Sequence, residues 1–307
     1  MQAQGIHLMV DSSLSENLEY YELYINKNFV LIKGASTKGV IHAVYSFLQL
    51  LPRTQGIIDD KLSCVTIKDA PKFKWRGLLL DCSRHFMQIE FVKRYIDLLA
   101  FHKMNVLHWH LTEDQGWRIQ INQYPKLTEV GAYRQEKDGS TYGGFYSQEQ
   151  IKEVVSYAKE RGVAVVPEIE LPGHSLAALA AYPQYSCTGG PFEVETDWGV
   201  FKEIYCAGNE QTFTFIKNIL DEVIELFPAE YIHIGGDEVP KYRWERCSKC
   251  KKRMMEESLE DVHELQSYFI QRIETYLSRK GKKLITFQNQ MPHRITDKSV
   301  WFFNNDL

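Results

Sequence analysis

Long apolar runs are missing from this chain. No stretch approaches the roughly 18 consecutive apolar residues that a membrane-spanning helix needs, so no membrane span is expected. The opening Met1-Gln-Ala-Gln-Gly-Ile lacks the basic and apolar regions of a secretory leader, and no signal peptide is read there. Charge of one sign is not in excess either. With 36 Lys and Arg against 40 Asp and Glu, the net charge of -4 gives no reason to expect nucleic acid or an anionic membrane as partner. A neutral or small substrate fits better. Cysteine is sparse: the six are Cys64, Cys82, Cys187, Cys206, Cys247 and Cys250. Cys247-x-x-Cys250 is half of a zinc or redox signature, but no second pair with metal-ligand spacing follows it, and its basic flank reads as an exposed helix start. Cys187 and Cys206 bracket a Gly-rich loop and either form a disulfide, in an oxidising compartment, or stay free.

What is present is a chain of 307 residues, 44% hydrophobic, long enough to bury a core as one large domain or as one domain with a small appendage. Residues 20–33 alternate in two runs around Asn26-Lys27-Asn28, the pattern of a β-hairpin. Residues 39–51 follow with apolar positions at helical spacing and Pro52 just past the end. Together they read as part of a small α/β domain over residues 1–70, closing in the linker around Asp69-Ala-Pro71. Beyond it the pattern alternates. Strands are expected at residues 77–82, 105–110, 163–168, 231–234, 283–287 and 299–303, with helices at 90–102, 147–161, 209–227 and 261–280 between them. Buried strands alternating with helices point to a parallel sheet closed by helices. The fold class expected for residues 71–307 is therefore an α/β (β/α)8 TIM-type barrel, of which about six strands are visible.

Polar residues gather where those strands end: Arg84 and His85, Glu113 and Asp114, Glu170 and His174, Asp237 and Glu238. In a barrel they would converge on the C-terminal face, where catalytic groups sit. The richest of these ends is His233-Ile-Gly-Gly-Asp237-Glu238, two adjacent carboxylates freed by two glycines, although by itself it also reads as an acidic turn. Paired carboxylates at a barrel mouth suit glycosidic bond cleavage, in which an acid protonates the leaving oxygen and a negative group meets the anomeric carbon. Consecutive residues have Cα atoms only about 3.8 Å apart, so these two share one side of a pocket more naturally than they flank a bond. That arrangement suits substrate-assisted catalysis, in which the substrate's own acetamido oxygen attacks C1 while one carboxylate orients the amide and the other supplies the proton. Aromatics at 13% are compatible with sugar recognition, though aromatic cores are commoner.

Four ordered motifs carry a family resemblance: Leu79-Leu-Asp-Cys-Ser-Arg-His-Phe86, Asn105-Val-Leu-His-Trp-His-Leu-Thr-Glu-Asp-Gln-Gly-Trp117, Val166-Pro-Glu-Ile-Glu-Leu-Pro-Gly-His174 and the Gly-Gly-Asp-Glu run. They resemble the strand-end motifs of family 20 glycoside hydrolases, the β-N-acetylhexosaminidases, from the Leu23 region to the last residue. The resemblance implies an exo-acting, retaining enzyme that removes terminal β-linked N-acetylglucosamine or N-acetylgalactosamine from an oligosaccharide or glycoconjugate, with no cofactor and no metal. Asp237 would hold the substrate N–H and stabilise an oxazolinium, and Glu238 would be the general acid and then the base. His174 would tune the proton donor together with an acid that falls at Glu113, where many members carry Asp; Asp114 competes for that place. Arg84 would bind hydroxyls of the non-reducing sugar. A secreted, periplasmic or lysosomal type of compartment is implied, and oligomeric state is left open.

Other readings stand beside these. Arg84 next to Asp81 also reads as a structural ion pair, and His174 after Gly173 as a loop cap. His108 and His110 alternate on one strand face, which is metal-like in isolation and ordinary in a barrel lining. Trp117 and Trp198 read as packing residues. Phe287 stands where the family carries a tryptophan that walls the acetamido pocket, and Trp301 matches another pocket tryptophan. The chain stops just after the sixth strand, so it is expected to be C-terminally incomplete, a fragment of a longer polypeptide. The alternative to an active hydrolase is a catalytically weak or silent sugar-binding fragment of one, and a third reading is a barrel glycosidase that works without acetamido assistance.

Overall fold

The computed structural model describes residues 4–51, 53–54, 57–58, 62–287 and 300–302, with 53–54, 57–58 and 300–302 as backbone only. Two compact units divide it: Met1–Leu78 with Lys93–Leu107 and Tyr157–Ala164, and Leu79–Val92 with His108–Ser156 and Val165–Leu307. In the first, the expected hairpin forms as β1 to β4 are laid down: β1 (Gly5–Val10), β2 (Tyr21–Ile25), β3 (Phe29–Gly34) and β4 (Val65–Asp69) make one sheet in the order β1-β3-β2-β4. β2 pairs antiparallel with both β3 and β4, while β1 runs parallel to β3. Helix α1 (Thr37–Leu50) is capped by the Ser36 side chain, which accepts from Lys38 N–H. Its apolar positions pack on alternate residues of the sheet: Tyr21, Leu23, Ile25, Ile32 and Ala43 are buried, with Val44, Phe47 and Val65 against them. The strands β1 and β4 escaped the sequence reading.

The compact units do not follow the sequence boundary after residue 70. Segments 93–107 and 157–164 belong with the first unit, where Gln49 Nε2 donates to the Phe101 carbonyl at 2.6 Å and Arg76 Nε to the Lys103 carbonyl at 2.8 Å.

The larger sheet has six strands in chain order: β5 (Gly77–Asp81), β6 (Val106–His110), β7 (Ala164–Glu168), β8 (Tyr231–His233), β9 (Lys283–Phe287) and β10 (Val300–Phe302). β7 and β8, β8 and β9, and β9 and β10 pair in parallel, with Glu168 opposite His233, His233 opposite Ile285 and Thr286 opposite Trp301. Helices α2 (Ile89–Phe101), α3 (Gln148–Glu160), α4 (Glu210–Leu226), α5 (Tyr242–Arg246), α6 (Ser248–Glu256) and α7 (Val262–Arg279) fall between the strands. This is the unit repeat of a TIM-type barrel, and sequential parallel pairing brings every strand's C-terminal end to one rim. Helices α4 and α7 start where the chain supplies caps: Asn209 accepts from Gln211 N–H, and Asp261 from His263 and Glu264 N–H. Their buried faces, Phe213, Ile216, Leu220 and Val223 on α4 and Leu265, Phe269, Ile273 and Leu277 on α7, recur every three or four residues. Each such side chain stabilises the fold by roughly 1.5–3 kcal/mol on burial. Among the described residues no helix is long and apolar enough to cross a membrane.

Candidate active site

Beyond the strands proper, the ladder continues into the loops. Cys82 N–H donates to the His110 carbonyl, Leu111 N–H to that of Glu168, Leu171 N–H to that of Ile234, and Phe287 N–H to that of Gly235. The polar strand-end residues are thereby held in one row rather than on independent loops.

At the floor of the rim sits Glu168, at 0% exposure. His108 Nε2 lies 2.8 Å and His110 Nδ1 3.0 Å from one carboxylate oxygen, and His233 Nδ1 lies 2.7 Å from the other. Burial alone would raise this carboxyl, but the surrounding histidines, His110 first, hold it well below the usual carboxylate range. In return, against a burial that would lower it, Glu168 pushes His110 up to about 9. Burial keeps His233 below its ordinary value, hence neutral. The His108 and His110 alternation thus resolves into two partners of one carboxylate, with Phe287 closing over His233 at a ring separation of 4.6 Å.

Glu170, one residue past Ile169, behaves in the opposite way. It is buried, and burial together with the charges of Glu168, Asp237 and Glu113 raises its pKa well above the usual range, so it is held as the neutral acid. Its carboxyl group lies so close to the backbone at Gly235 that a Cβ there would overlap it. Gly235, at φ +64°, also needs a conformation that other residues adopt only with strain, which explains one half of the Gly-Gly pair. Gly236, at φ +95°, explains the other, since a Cβ would overlap Thr286 Oγ1. Gln266, fully buried on α7, donates to the Gly236 carbonyl at 2.8 Å, and Lys241 Nζ donates to the Gln266 amide oxygen and to the Val239 carbonyl at 2.8 Å.

The turn delivers Asp237 and Glu238 differently. Asp237 is partly buried, burial raises its pKa, and its Oδ1 is buried with no hydrogen-bond partner among the described residues. Glu238 is exposed, at φ +46°, a left-handed backbone uncommon outside glycine and of the kind that collects at functional sites. Carboxylate oxygens of both residues and a ring nitrogen of His174 lie within 4.8 Å of one another.

His174, itself at φ +47°, spans the site. Its Nε2 faces Glu238 Oε2 at 3.5 Å, and its Nδ1 lies 3.1 Å from Glu113 Oε1 and 3.2 Å from Asp114 Oδ2. Burial would lower the imidazole, but hydrogen bonds to Asp114 and Glu113 and their charges push it up to about 11. The competition between Glu113 and Asp114 therefore ends in shared contact. Asp114 also accepts from Leu176 N–H at 2.9 Å, and Glu113 also takes the Arg84 guanidinium. Arg84 pairs in addition with Asp81 at 2.8 Å and lies over the Trp198 ring at 4.5 Å. The ion pair weighed for Arg84 is present, and it leads through Glu113 to His174. Trp198, read as a packing residue, is instead 75% exposed on a loop, with the Arg84 guanidinium over its ring. Trp117 is buried, as a packing residue should be. Trp301 lies on β10, and its side chain is outside the described residues.

All six cysteines are free. The Cys187–Cys206 disulfide weighed from the sequence does not form, because Cys206 Sγ faces Cys247 and Cys250 at 3.8 and 3.7 Å instead. Sequence reasoning gave no role to Glu168, to Glu170, which it placed only among the strand-end polar residues, or to Gln266. The first two were legible as acidic residues alternating at the end of a quoted motif, whereas Gln266, mid-helix and far along the chain, gave no signal.

The family model described as "Glycosyl hydrolase family 20, catalytic domain" matches residues 73–302, and "Glycosyl hydrolase family 20, domain 2" matches residues 3–70. The chain belongs to glycosyl hydrolase family 20. Among its glycosyl hydrolase family 20 relatives, a beta-hexosaminidase of Porphyromonas gingivalis is 49% identical over 286 residues, which cover 92% of this chain and 37% of that protein. The crystal structure of a beta-N-acetylhexosaminidase from Bacteroides fragilis matches with a TM-score of 0.85 at 39% identity, over 97% of this chain and 58% of that one. An exo beta-N-acetylglucosaminidase from Vibrio harveyi, solved in complex with N-acetylglucosamine, matches with a TM-score of 0.86 at 33% identity, over 97% of this chain and 48% of that one. The chain thus spans about half the length of the relatives it matches, or less.

Proposed function

We propose that the protein is an exo-acting, retaining β-N-acetylhexosaminidase that cleaves terminal β-linked N-acetylglucosamine or N-acetylgalactosamine from an oligosaccharide or glycoconjugate, through an oxazolinium intermediate. The observation that carries this reading is the unlike placement of two adjacent carboxyls: Asp237 with a buried, unpartnered oxygen, and Glu238 exposed against His174. A buried acceptor without a donor is costly unless a ligand supplies one, and the acetamido N–H is such a donor. Bound there through Asp237, the amide has its carbonyl oxygen free to attack C1 while Glu238 gives its proton to the departing glycosidic oxygen. Glu238 then takes a proton from water, which attacks C1 from the face the aglycone left, so configuration is retained. His174, fixed by Glu113 and Asp114, orients Glu238. Arg84 binds hydroxyls of the terminal sugar, and Phe287 walls the acetamido pocket, where an indole at 287 would have added area and a donor. The match of separate family models to residues 3–70 and 73–302 supports an N-terminal α/β domain over residues 1–70 and a catalytic barrel domain over 71–307.

The test is chromophore release from an aryl β-N-acetylglucosaminide, with and without a thiazoline mimic of the oxazolinium. Turnover blocked by the thiazoline is expected. Turnover that the thiazoline leaves untouched would point to a barrel glycosidase without acetamido assistance, and N-acetylglucosamine binding without turnover to a sugar-binding protein.

A further inference from the structure

Four of the six cysteines converge on one point away from the carboxylates. Ser186 pairs with Tyr205 in an isolated antiparallel bridge, and Cys206 N–H donates to the Tyr185 carbonyl at 2.8 Å, so the two ends of that loop bring Cys187 and Cys206 side by side. Cys247 is the N-cap of α6 and Cys250 lies in its first turn, which aims both thiols from the helix start at the same place. The Sγ atoms of Cys187 and Cys250 are 3.8 Å apart, those of Cys206 and Cys247 3.8 Å, and those of Cys206 and Cys250 3.7 Å, and all four lie within 4.8 Å of one another.

These spacings decide between two kinds of sulfur chemistry. A disulfide requires sulfurs about 2.05 Å apart. A tetrahedral centre with metal–sulfur bonds of about 2.3 Å has edges of about 3.8 Å, which is the spacing found. Cys206, Cys247 and Cys250 are buried, and thiols are weak hydrogen-bonding partners for one another, so the cluster gains little unless a thiophilic cation joins it. Charge and packing also suit such an ion. The N-terminus of α6 and the neighbouring Lys249, Lys251 and Lys252 offset the negative charge of four thiolates. At Gly208 a Cβ would overlap the backbone of Lys249 and Cys250, so the chain leaving Cys206 can lie against the Cys250 turn only because residue 208 is glycine.

We propose that Cys187, Cys206, Cys247 and Cys250 bind one zinc ion in a closed tetrathiolate site. Each thiol releases its proton to solvent as the ion enters, and with four sulfur ligands no position remains open for substrate, so the role is structural. The site ties the loop that follows β7 to the segment that follows β8. Tyr205 N–H donates to the Pro172 carbonyl at 3.0 Å, beside His174, and Trp244 Nε1 on α5 donates to the Tyr205 carbonyl at 2.8 Å. The ion thus clamps the backbone behind His174 to the helices that follow Asp237 and Glu238. The inference stands on the sulfur geometry and is independent of the hydrolase reading.

Metal analysis of the full chain, purified without chelator, is expected to give about one zinc per chain, as a single closed structural site requires. Refolding with Co²⁺ alone is expected to give the ligand-field and thiolate charge-transfer bands of a tetrahedral site. Cys206→Ser should abolish both signals, while Cys64→Ser, at the exposed cysteine, should leave both intact. Because loss of the ion can unfold the Cys206→Ser variant, the zinc content and cobalt spectrum of the unsubstituted chain decide the matter on their own. Chain that carries no zinc and gives no tetrahedral cobalt bands would overturn the proposal, as would a mass lowered by two hydrogens for each of two disulfides, or iron in place of zinc.

Discussion

Glu168 and Glu170 stand at the end of the same strand, with only Ile169 between them, yet they are held in opposite charge states. Glu168 meets three histidines and stays ionised; Glu170 meets the charges of Glu168, Asp237 and Glu113 and stays protonated. Burial raises both, so the difference lies entirely in the neighbours. The floor of the site is a neutralised cluster that fixes the strand ends, whereas the rim gathers carboxyl groups faster than it gathers cations. A crowded rim of that kind is where a proton can be stored and handed on, and Glu238, exposed beside His174, is its most accessible member.

The sharpest way to break this contrast is at the rim. Glu238→Gln is expected to lower kcat/KM on substrates with poor leaving groups by about a hundred- to ten-thousand-fold, and to do much less on activated aryl glycosides, because only the former need the proton. Equal losses on both would remove Glu238 from the role of acid. On the floor the expected loss is in stability. Glu168→Gln strands the imidazolium of His110 without its counter-charge and should destabilise the fold by about 3 kcal/mol or more, read as a shift of the urea midpoint.

A third experiment uses pH. His110 has a folded pKa of about 9 against an ordinary 6.5, so its pairing contributes stability that is fully present below 6.5 and is lost as pH rises through 9. Tm should fall over that window, equivalent to roughly 3 kcal/mol, and His110→Gln should flatten the fall. The smallest effect belongs to Glu170. Replacing a protonated acid by its amide in Glu170→Gln should change stability by less than about 1 kcal/mol. A loss there as large as that of Glu168→Gln would mean that the two carboxyls are alike after all.

Much of the architecture was legible. The six strands of the large sheet lie within a residue of their expected bounds, since their apolar runs are short and their flanking helices strongly periodic; the four long helices do likewise for the same reason. The rim residues Arg84, Glu113, Asp114, His174, Asp237 and Glu238 were legible as polar groups at strand ends, a rule that parallel pairing enforces. What stayed hidden depends on contacts between distant segments. Gln266 supports Gly236 across 30 residues, and Trp198 reaches Arg84 from a loop with no periodicity to read. The cysteines show this most plainly: Cys247-x-x-Cys250 reads by itself as half of a zinc or redox signature or as an exposed helix start, and the two cysteines that meet it, Cys187 and Cys206, precede it at the two ends of one loop.

The sequence by itself determined the alternation of strand and helix, the glycines that let Asp237 and Glu238 follow β8, and membership of the acidic and histidine residues in one rim. These are local properties, set by side-chain period and backbone freedom. Tertiary structure alone decided which carboxyl is charged, which carboxylates share His174, and which sulfurs meet, because each of these depends on the distance to groups that the chain brings near only when it folds.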